Sequence, residues 1–162
     1  MQLFETITRL ISSKSIHVDF AEHAAVFTSK AASALCGHTD EEGTKSLVVV
    51  ADAELAVVTV AANERVDFGA VKRLLGVRKV KMAANEDLFL RLGTENGGVA
   101  PFGYDESITI VVSASLFDQR QVHFNPGKND VTATMAGSDF KTIVLEAPRH
   151  RILESSGGVS GG

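Results

Sequence analysis

Residues 97–103, which read Gly-Gly-Val-Ala-Pro-Phe-Gly, have the composition of a loop that can bind an anion. Glycine permits positive φ angles and a close approach of the backbone to a ligand, and Pro101 restricts the turn. Such a loop can point peptide N–H groups at a negatively charged oxygen, or at one that becomes negative during a reaction. A tight glycine-rich turn without a ligand is the alternative, and the residues alone favour neither interpretation.

Lys45 and His23 are the other side chains with clear chemical potential. Lys45 stands just before the first long apolar strand pattern, so its ammonium can reach into a cleft and hold a phosphate or a carboxylate. A solvated lysine beside a strand is the alternative, which composition favours by roughly three to one. His23 lies in a connector, where it can act as a general base, donate a hydrogen bond to a substrate or be an ordinary polar loop residue.

The familiar catalytic and cofactor motifs are missing from the sequence. There is no Walker loop, no GxGxxG dinucleotide fingerprint and no GxSxG nucleophile elbow. The five histidines and the single cysteine, Cys36, lack metal-ligand spacing, so we expect no metal and no cofactor. An enzyme with this sequence would act on an intrinsically reactive substrate, with positioning and oxyanion stabilisation providing most of the rate.

Composition and charge limit the class of protein. The chain has 162 residues, of which 44% are hydrophobic, and we expect one domain at residues 1–150 followed by a flexible tail at 151–162. The net charge of −4 argues against a surface for duplex DNA but is compatible with binding a short single-stranded end. One cysteine, no signal peptide and no apolar run of ~20 residues predict a cytoplasmic protein that does not bind membranes.

Apolar periodicity predicts an α/β or α+β fold with a mixed sheet that includes a buried hairpin. Helices are expected at 3–11, 28–35, 67–75, 85–92 and 140–145, and strands at 16–20, 47–51, 55–61, 77–82, 108–112, 121–124 and 131–135. Asp67 is expected to cap the third helix and Gly76 to end it. Asn85 is expected to cap the fourth helix and Gly93 to end it. His123 lies in a strand pattern and is expected to face solvent.

Five segments in a fixed order give the chain a family resemblance. They are residues 22–28 (EHAAVFT), 44–49 (TKSLVV), 74–83 (LLGVRKVKMA), 93–103 and 126–128 (PGK). In order and spacing they resemble the YbaK/prolyl-tRNA editing-domain family of aminoacyl-tRNA deacylases, over roughly residues 16–145. Gly97 to Pro101 matches the GxxxP signature of that family, and Lys45 matches its lysine before the first core strand.

The resemblance implies a fold and an activity. The fold is a compact single α/β domain whose central mixed, mainly antiparallel and barrel-like sheet is flanked by helices. The activity is that of a trans-acting deacylase, which hydrolyses the ester between a wrong amino acid and the 3′ end of tRNA. A proline tRNA carrying a small wrong amino acid is the candidate substrate. The acceptor CCA end is the implied partner, and an aminoacyl-tRNA synthetase is a candidate second partner.

The resemblance also assigns roles to residues. Lys45 would bind the terminal phosphate or ribose, and the Gly97 and Gly98 peptide groups would orient the ester carbonyl and stabilise its oxyanion. A substrate hydroxyl would assist attack by water. The remaining residues expected to contact the substrate or line its pocket are His23, Val99, Ala100, Pro101, Phe102, Gly127 and Lys128.

The sequence departs from the family pattern at two positions. Ser113 stands where many relatives have aspartate, and Ala24 stands where they often have proline. These changes keep two other functions open. One is a non-catalytic module that binds a tRNA end or a nucleotide, and the other is an interaction protein that docks on a synthetase.

Overall fold

The structure, a computed structural model, describes residues 2–25 and 39–154. The helix predicted at 28–35 and the residues after position 154 lie outside the described ranges, as does Cys36. No helix in the described ranges is both long and apolar enough to cross a membrane.

The described chain contains four α-helices and eight strands. The helices are α1 (Leu3–Ser13), α2 (Phe68–Leu75), α3 (Asn85–Leu92) and α4 (Gly137–Glu146), and a short 3₁₀ helix spans Ala114–Asp118. The strands are β1 (Asp19–Glu22), β2 (Thr44–Ala51), β3 (Glu54–Ala61), β4 (Val80–Met82), β5 (Thr109–Ser113), β6 (Gln121–Phe124), β7 (Val131–Ala136) and β8 (His150–Leu153).

The larger sheet has five strands in the order β4-β2-β3-β5-β8. Strands β2 and β3 form the predicted antiparallel hairpin, whose register runs from Thr44 opposite Ala61 to Ala51 opposite Glu54. Strands β3, β5 and β8 run parallel to one another. The hairpin begins earlier than predicted, so Lys45 lies within β2 rather than before it.

The smaller sheet has three strands in the order β1-β7-β6, and both of its pairings are antiparallel. A single bridge between Gly43 and His123 joins it to the larger sheet. The Thr44 hydroxyl donates to the His123 carbonyl at 3.1 Å, and the His123 N–H donates to the Glu42 carbonyl at 2.8 Å. This junction links the two sheets, and the predicted mixed, mainly antiparallel α/β fold is confirmed.

Two apolar clusters cover the two faces of the larger sheet. The larger cluster includes Phe102, Phe124 and Phe140, whose ring centroids lie 5.2 to 6.2 Å apart. The smaller cluster lies beneath α2 and centres on Val71. We define the outer face as the face of the two sheets that points away from the larger cluster. On β2 and β3 the outer face carries the smaller cluster.

Both glycines predicted to end helices do so, whereas only one of the two predicted N-terminal caps is observed. Gly76 and Gly93 end α2 and α3 with φ angles of +67° and +68°, as predicted. The Asp67 carboxylate accepts from the Ala70 N–H, which confirms that cap. The Asn85 cap is wrong: Asn85 is the first helical residue, and Ala84 holds the cap position without a side-chain hydrogen bond.

Three other expectations need correction, and one strand, β8 (His150–Leu153), was not predicted. The strand expected at 77–82 is reduced to Val80–Met82, and that expected at 16–20 is shifted to Asp19–Glu22. His123 is buried rather than facing solvent, because the junction between the sheets encloses it.

Candidate functional site

The glycine loop at 97–103 follows α3 and is held by its own backbone. Gly97 and Gly103 adopt φ angles of +84° and +104°, which glycine tolerates best. The Gly98 N–H donates to the Glu95 carbonyl at 2.9 Å. This donor, which the family resemblance assigns to the substrate carbonyl, therefore serves the loop itself. Among the described residues, the N–H groups of Gly97 and Val99 have no hydrogen-bond partner.

Tyr104 fixes the middle of the loop. Its hydroxyl accepts from the Ala100 N–H at 3.1 Å and donates to the Ala100 carbonyl at 2.6 Å. Burial raises the pKa of Tyr104 far above its ordinary range, and the hydrogen bond to Ala100 lowers it only in part. The phenol therefore stays protonated and keeps both hydrogen bonds. This role was not predicted from the sequence, although a single tyrosine directly after the loop was a visible signal.

The loop packs against the turn between β6 and β7. A Cβ atom added to Gly98 would lie 3.1 Å from the backbone of Lys128. The Thr94 hydroxyl donates to the Gly127 carbonyl at 3.3 Å, and the Asn129 amide donates to the Asn96 carbonyl at 3.3 Å. The structure thus brings the predicted site residues Gly98, Gly127 and Lys128 together.

Three predicted loop residues, Ala100, Pro101 and Phe102, are buried. Ala100 and Phe102 belong to the larger core cluster, and the Phe102 ring lies 5.2 Å from the ring of Phe124. Val99 is half-buried against the same cluster. This placement suits bracing of the loop better than contact of these side chains with a substrate.

His23 follows β1 and is held beside the start of β7. Its Nδ1 lies 2.8 Å from the Ala24 carbonyl, and its Nε2 lies 2.8 Å from the Thr132 hydroxyl. A carbonyl only accepts, so Nδ1 carries a proton and donates it to the Ala24 carbonyl. The His23 N–H also donates to the Asp130 carbonyl at 3.0 Å. The ring is therefore oriented on the outer face of the smaller sheet.

Lys45 also lies on the outer face. It stands opposite Val60, a member of the smaller cluster, whereas Ala100 and Phe102 belong to the larger cluster on the other face. The Lys45 side chain is half-buried and has no hydrogen bond or ion pair with any described residue. Within residues 2–25 and 39–154, no hydrogen bond or ion pair joins it to the glycine loop.

A hydrogen-bonded pair occupies the junction near Lys45. His123 Nε2 lies 3.3 Å from Glu42 Oε1, and His123 Nδ1 lies 2.7 Å from the Thr134 hydroxyl. Burial alone would raise the pKa of Glu42, but hydrogen bonds from Gln121 and His123 and nearby positive charge outweigh it, and the pKa is lowered. Glu42 is therefore a carboxylate at neutral pH.

A second carboxylate is held at the end of β5. Glu64 Oε1 accepts from the Ala61 N–H and the Ser115 hydroxyl, each at 2.8 Å, and Oε2 accepts from the Ser113 hydroxyl at 3.3 Å. Glu64, from the connector between β3 and α2, thus places a carboxylate beside Ser113, the position at which the family resemblance leads us to expect an acid. Glu64 was not predicted as a site residue, because nothing in the local sequence pattern links it to Ser113.

The family follows from a comparison over most of these residues. The sequence model of the aminoacyl-tRNA editing domain matches residues 23–143, which is more than half of the chain and includes His23, Lys45, the glycine loop and the turn containing Gly127 and Lys128. The protein belongs to the aminoacyl-tRNA editing domain family. The family resemblance stated from the sequence is confirmed at this level.

Solved structures support the editing-domain fold. The crystal structure of a hypothetical protein matches this chain with a TM-score of 0.77 and 21% sequence identity. The match covers 91% of this chain and 96% of the chain of that protein. A second, described as "a putative trans-editing enzyme for prolyl tRNA synthetase", has a TM-score of 0.78 with 20% identity, covering 95% of this chain and 96% of its own. At these identities the likeness establishes the fold.

Two grooves lie beside the glycine loop of this editing domain. One, of about 430 Å³, is lined by Phe4, Phe89, Thr94 and Lys128 among others. The other, of about 730 Å³, lies between the N-terminal part of α1, α3 and residues 103–108. Lys45, Gly97 and Gly98 line neither groove. In the described ranges, no group of three histidine, cysteine or acidic residues is arranged to hold a metal ion.

Proposed function

We propose that the protein is a trans-acting aminoacyl-tRNA deacylase, which removes a wrong amino acid from the 3′ end of tRNA. The observation that carries this proposal is the editing-domain match over residues 23–143. The structural neighbour described as "a putative trans-editing enzyme for prolyl tRNA synthetase" resembles this chain over 95% of its length. We therefore take proline tRNA carrying a small wrong amino acid as the first substrate to test.

The chemistry needs little from the protein beyond positioning. An aminoacyl ester is already activated, and the neighbouring 2′-hydroxyl of the terminal ribose can assist proton transfer. Water adds to the carbonyl carbon, the ester C–O bond breaks, and the ribose oxygen leaves with a proton, which releases a free amino acid. The loop would stabilise the oxyanion formed in the first step.

Lys45, the Gly97 peptide and His23 would each have a separate part in this reaction. The Lys45 ammonium, which has no partner in the described chain, would bind the terminal phosphate or ribose. Of the two peptide donors that the family resemblance assigns to the carbonyl oxygen, Gly97 is the one that remains, because the Gly98 N–H already bonds to Glu95. His23 would line the pocket with its ring orientation set by Thr132. The expected cytoplasmic location and a synthetase partner remain parts of this proposal.

One observation favours the second candidate function, a module that binds a tRNA end without turnover. The Gly98 N–H is satisfied within the loop, which removes one of the two donor peptides that the family resemblance provides for an oxyanion. Binding without catalysis would need Lys45 and the pocket but not this donor.

The deciding experiment measures hydrolysis of proline tRNA mischarged with alanine, serine or cysteine. The wild type should release at least one of these amino acids well above the spontaneous rate, and Lys45→Ala should lower kcat/KM by roughly 10- to 100-fold, as expected for loss of a charge-assisted contact. Lys72→Ala, on the exposed side of α2, should match the wild type. No release above the spontaneous rate overturns the proposal, and tRNA binding without release supports the second candidate.

A further inference from the structure

The Glu64 carboxylate is held in place with one acceptor position left over. A carboxylate has about four acceptor positions. The Ala61 N–H and the Ser115 hydroxyl occupy those on Oε1, and the Ser113 hydroxyl occupies one on Oε2. Ser113 is only 2% exposed, so this end of the carboxylate lies against the sheet rather than in open solvent.

No cationic side chain neutralises Glu64. In residues 2–25 and 39–154 no lysine, arginine or histidine lies within ion-pair distance of it. A carboxylate that accepts hydrogen bonds but has no counter-ion can still form a charge-assisted hydrogen bond with a cationic group. The remaining position on Oε2 would take such a group from a ligand.

Lys45 and Ser113, whose hydroxyl donates to Glu64, share one face and one row of the sheet. Lys45 stands opposite Val60, and Val112 stands beside Thr59, so Ser113, the next residue of β5, continues the row past Val60. Adjacent strands are about 4.8 Å apart, which places the Cα atoms of Lys45 and Ser113 about 10 Å apart across β3. A free ammonium and a carboxylate without a counter-ion thus flank this part of the outer face.

We propose that Glu64, oriented by Ser113 and Ser115, binds the α-ammonium group of the aminoacyl ester. This inference rests on the proposed function. The end of an aminoacyl-tRNA carries a phosphate anion and an α-ammonium cation, and Lys45 and Glu64 present the complementary charges. The site therefore selects a free α-amine, and it discriminates against an N-acylated aminoacyl group, which carries no charge at that position.

The first test compares two substrates that differ only at this amine. The substrates are proline tRNA charged with alanine and the same tRNA charged with N-acetylalanine. Hydrolysis of each is measured with the wild type and with Glu64→Gln. Glu64→Gln should lower kcat/KM for the free-amine substrate by roughly 10- to 100-fold and leave that for the N-acetyl substrate unchanged. Glu54→Gln, at the opposite end of β3, is the matched control. An equal fall on both substrates, or no fall on either, overturns the inference.

The second test does not depend on turnover. The probe is 3′-alanylamino-3′-deoxyadenosine, in which an amide replaces the ester, and its N-acetyl derivative is the control ligand. Calorimetry should show tighter binding of the free-amine probe by the wild type, a preference lost in Glu64→Gln and weakened in Ser115→Ala. Equal affinity for the two probes, or no binding of either, overturns the inference. A preserved preference without hydrolysis of any mischarged tRNA would instead reject the deacylase proposal alone.

Discussion

The Tyr104 hydroxyl hydrogen-bonds to both backbone groups of Ala100, accepting from its N–H and donating to its carbonyl. Because Ala100 is fully buried, neither group can turn to water when the hydroxyl is lost. The Tyr104 side chain thus fixes the loop at Ala100, between Gly97 and Phe102.

Tyr104→Phe should destabilise the protein by about 1–3 kcal/mol, because it leaves a buried donor and a buried acceptor unsatisfied. It should also lower kcat for the deacylation proposed above. The free energy of unfolding from urea titration and single-turnover kinetics measure the two effects. A variant with the stability and rate of the wild type would contradict the role given to the hydroxyl.

Gly97→Ala and Gly76→Ala form a matched pair, since both glycines adopt positive φ angles of +84° and +67°. A side chain strains either position, and each variant should lose about 1 kcal/mol of stability. Gly76 ends α2 and nothing lies within 4 Å of its added Cβ. Only Gly97→Ala should therefore also lower kcat/KM. Equal activity losses in the two variants would show that the loop has no special part in the reaction.

The sequence was most informative where one residue type determines the local backbone. Gly76 and Gly93 end their helices as predicted because glycine favours the left-handed conformation. Asn85 failed as a cap because α3 begins at Asn85 itself, with Ala84 at the cap position. The β2–β3 hairpin was predictable from two β-branched runs with a short separation between them.

Features that depend on distant pairing were not predictable. Strand β8 has only four residues, and it is a strand because β5 pairs with it in parallel. The burial of His123 depends on the junction with Gly43, which is far away in the sequence. Glu64 likewise meets Ser113 only because β3 and β5 are neighbours. Local periodicity contains none of these relationships.

Stability should fall in acid because of Glu42. Its pKa is lowered in the folded state, so its carboxylate stabilises the fold fully above the unfolded pKa of about 4.3, and this contribution is lost as pH falls through the lower folded pKa. Glu42→Gln should therefore flatten the decline in unfolding free energy below about pH 4.5. Glu41→Gln, at the exposed neighbouring position, should retain the decline of the wild type. Parallel pH profiles for Glu42→Gln and the wild type would contradict this assignment.

Substitutions of Phe102 and Phe89 distinguish the contribution of the core packing beneath the loop from that of the grooves beside it. Phe102 is 1% exposed and contacts the rings of Phe124 and Phe140, so Phe102→Ala should cost about 3–5 kcal/mol and displace the loop. Phe89 is 67% exposed on α3, so Phe89→Ala should change stability by less than about 0.5 kcal/mol. Urea unfolding measures both. If Phe89→Ala nevertheless raised KM for mischarged tRNA while Phe102→Ala kept full activity, the groove lined by Phe89, and not the braced loop, would be the part of this editing domain that holds the substrate.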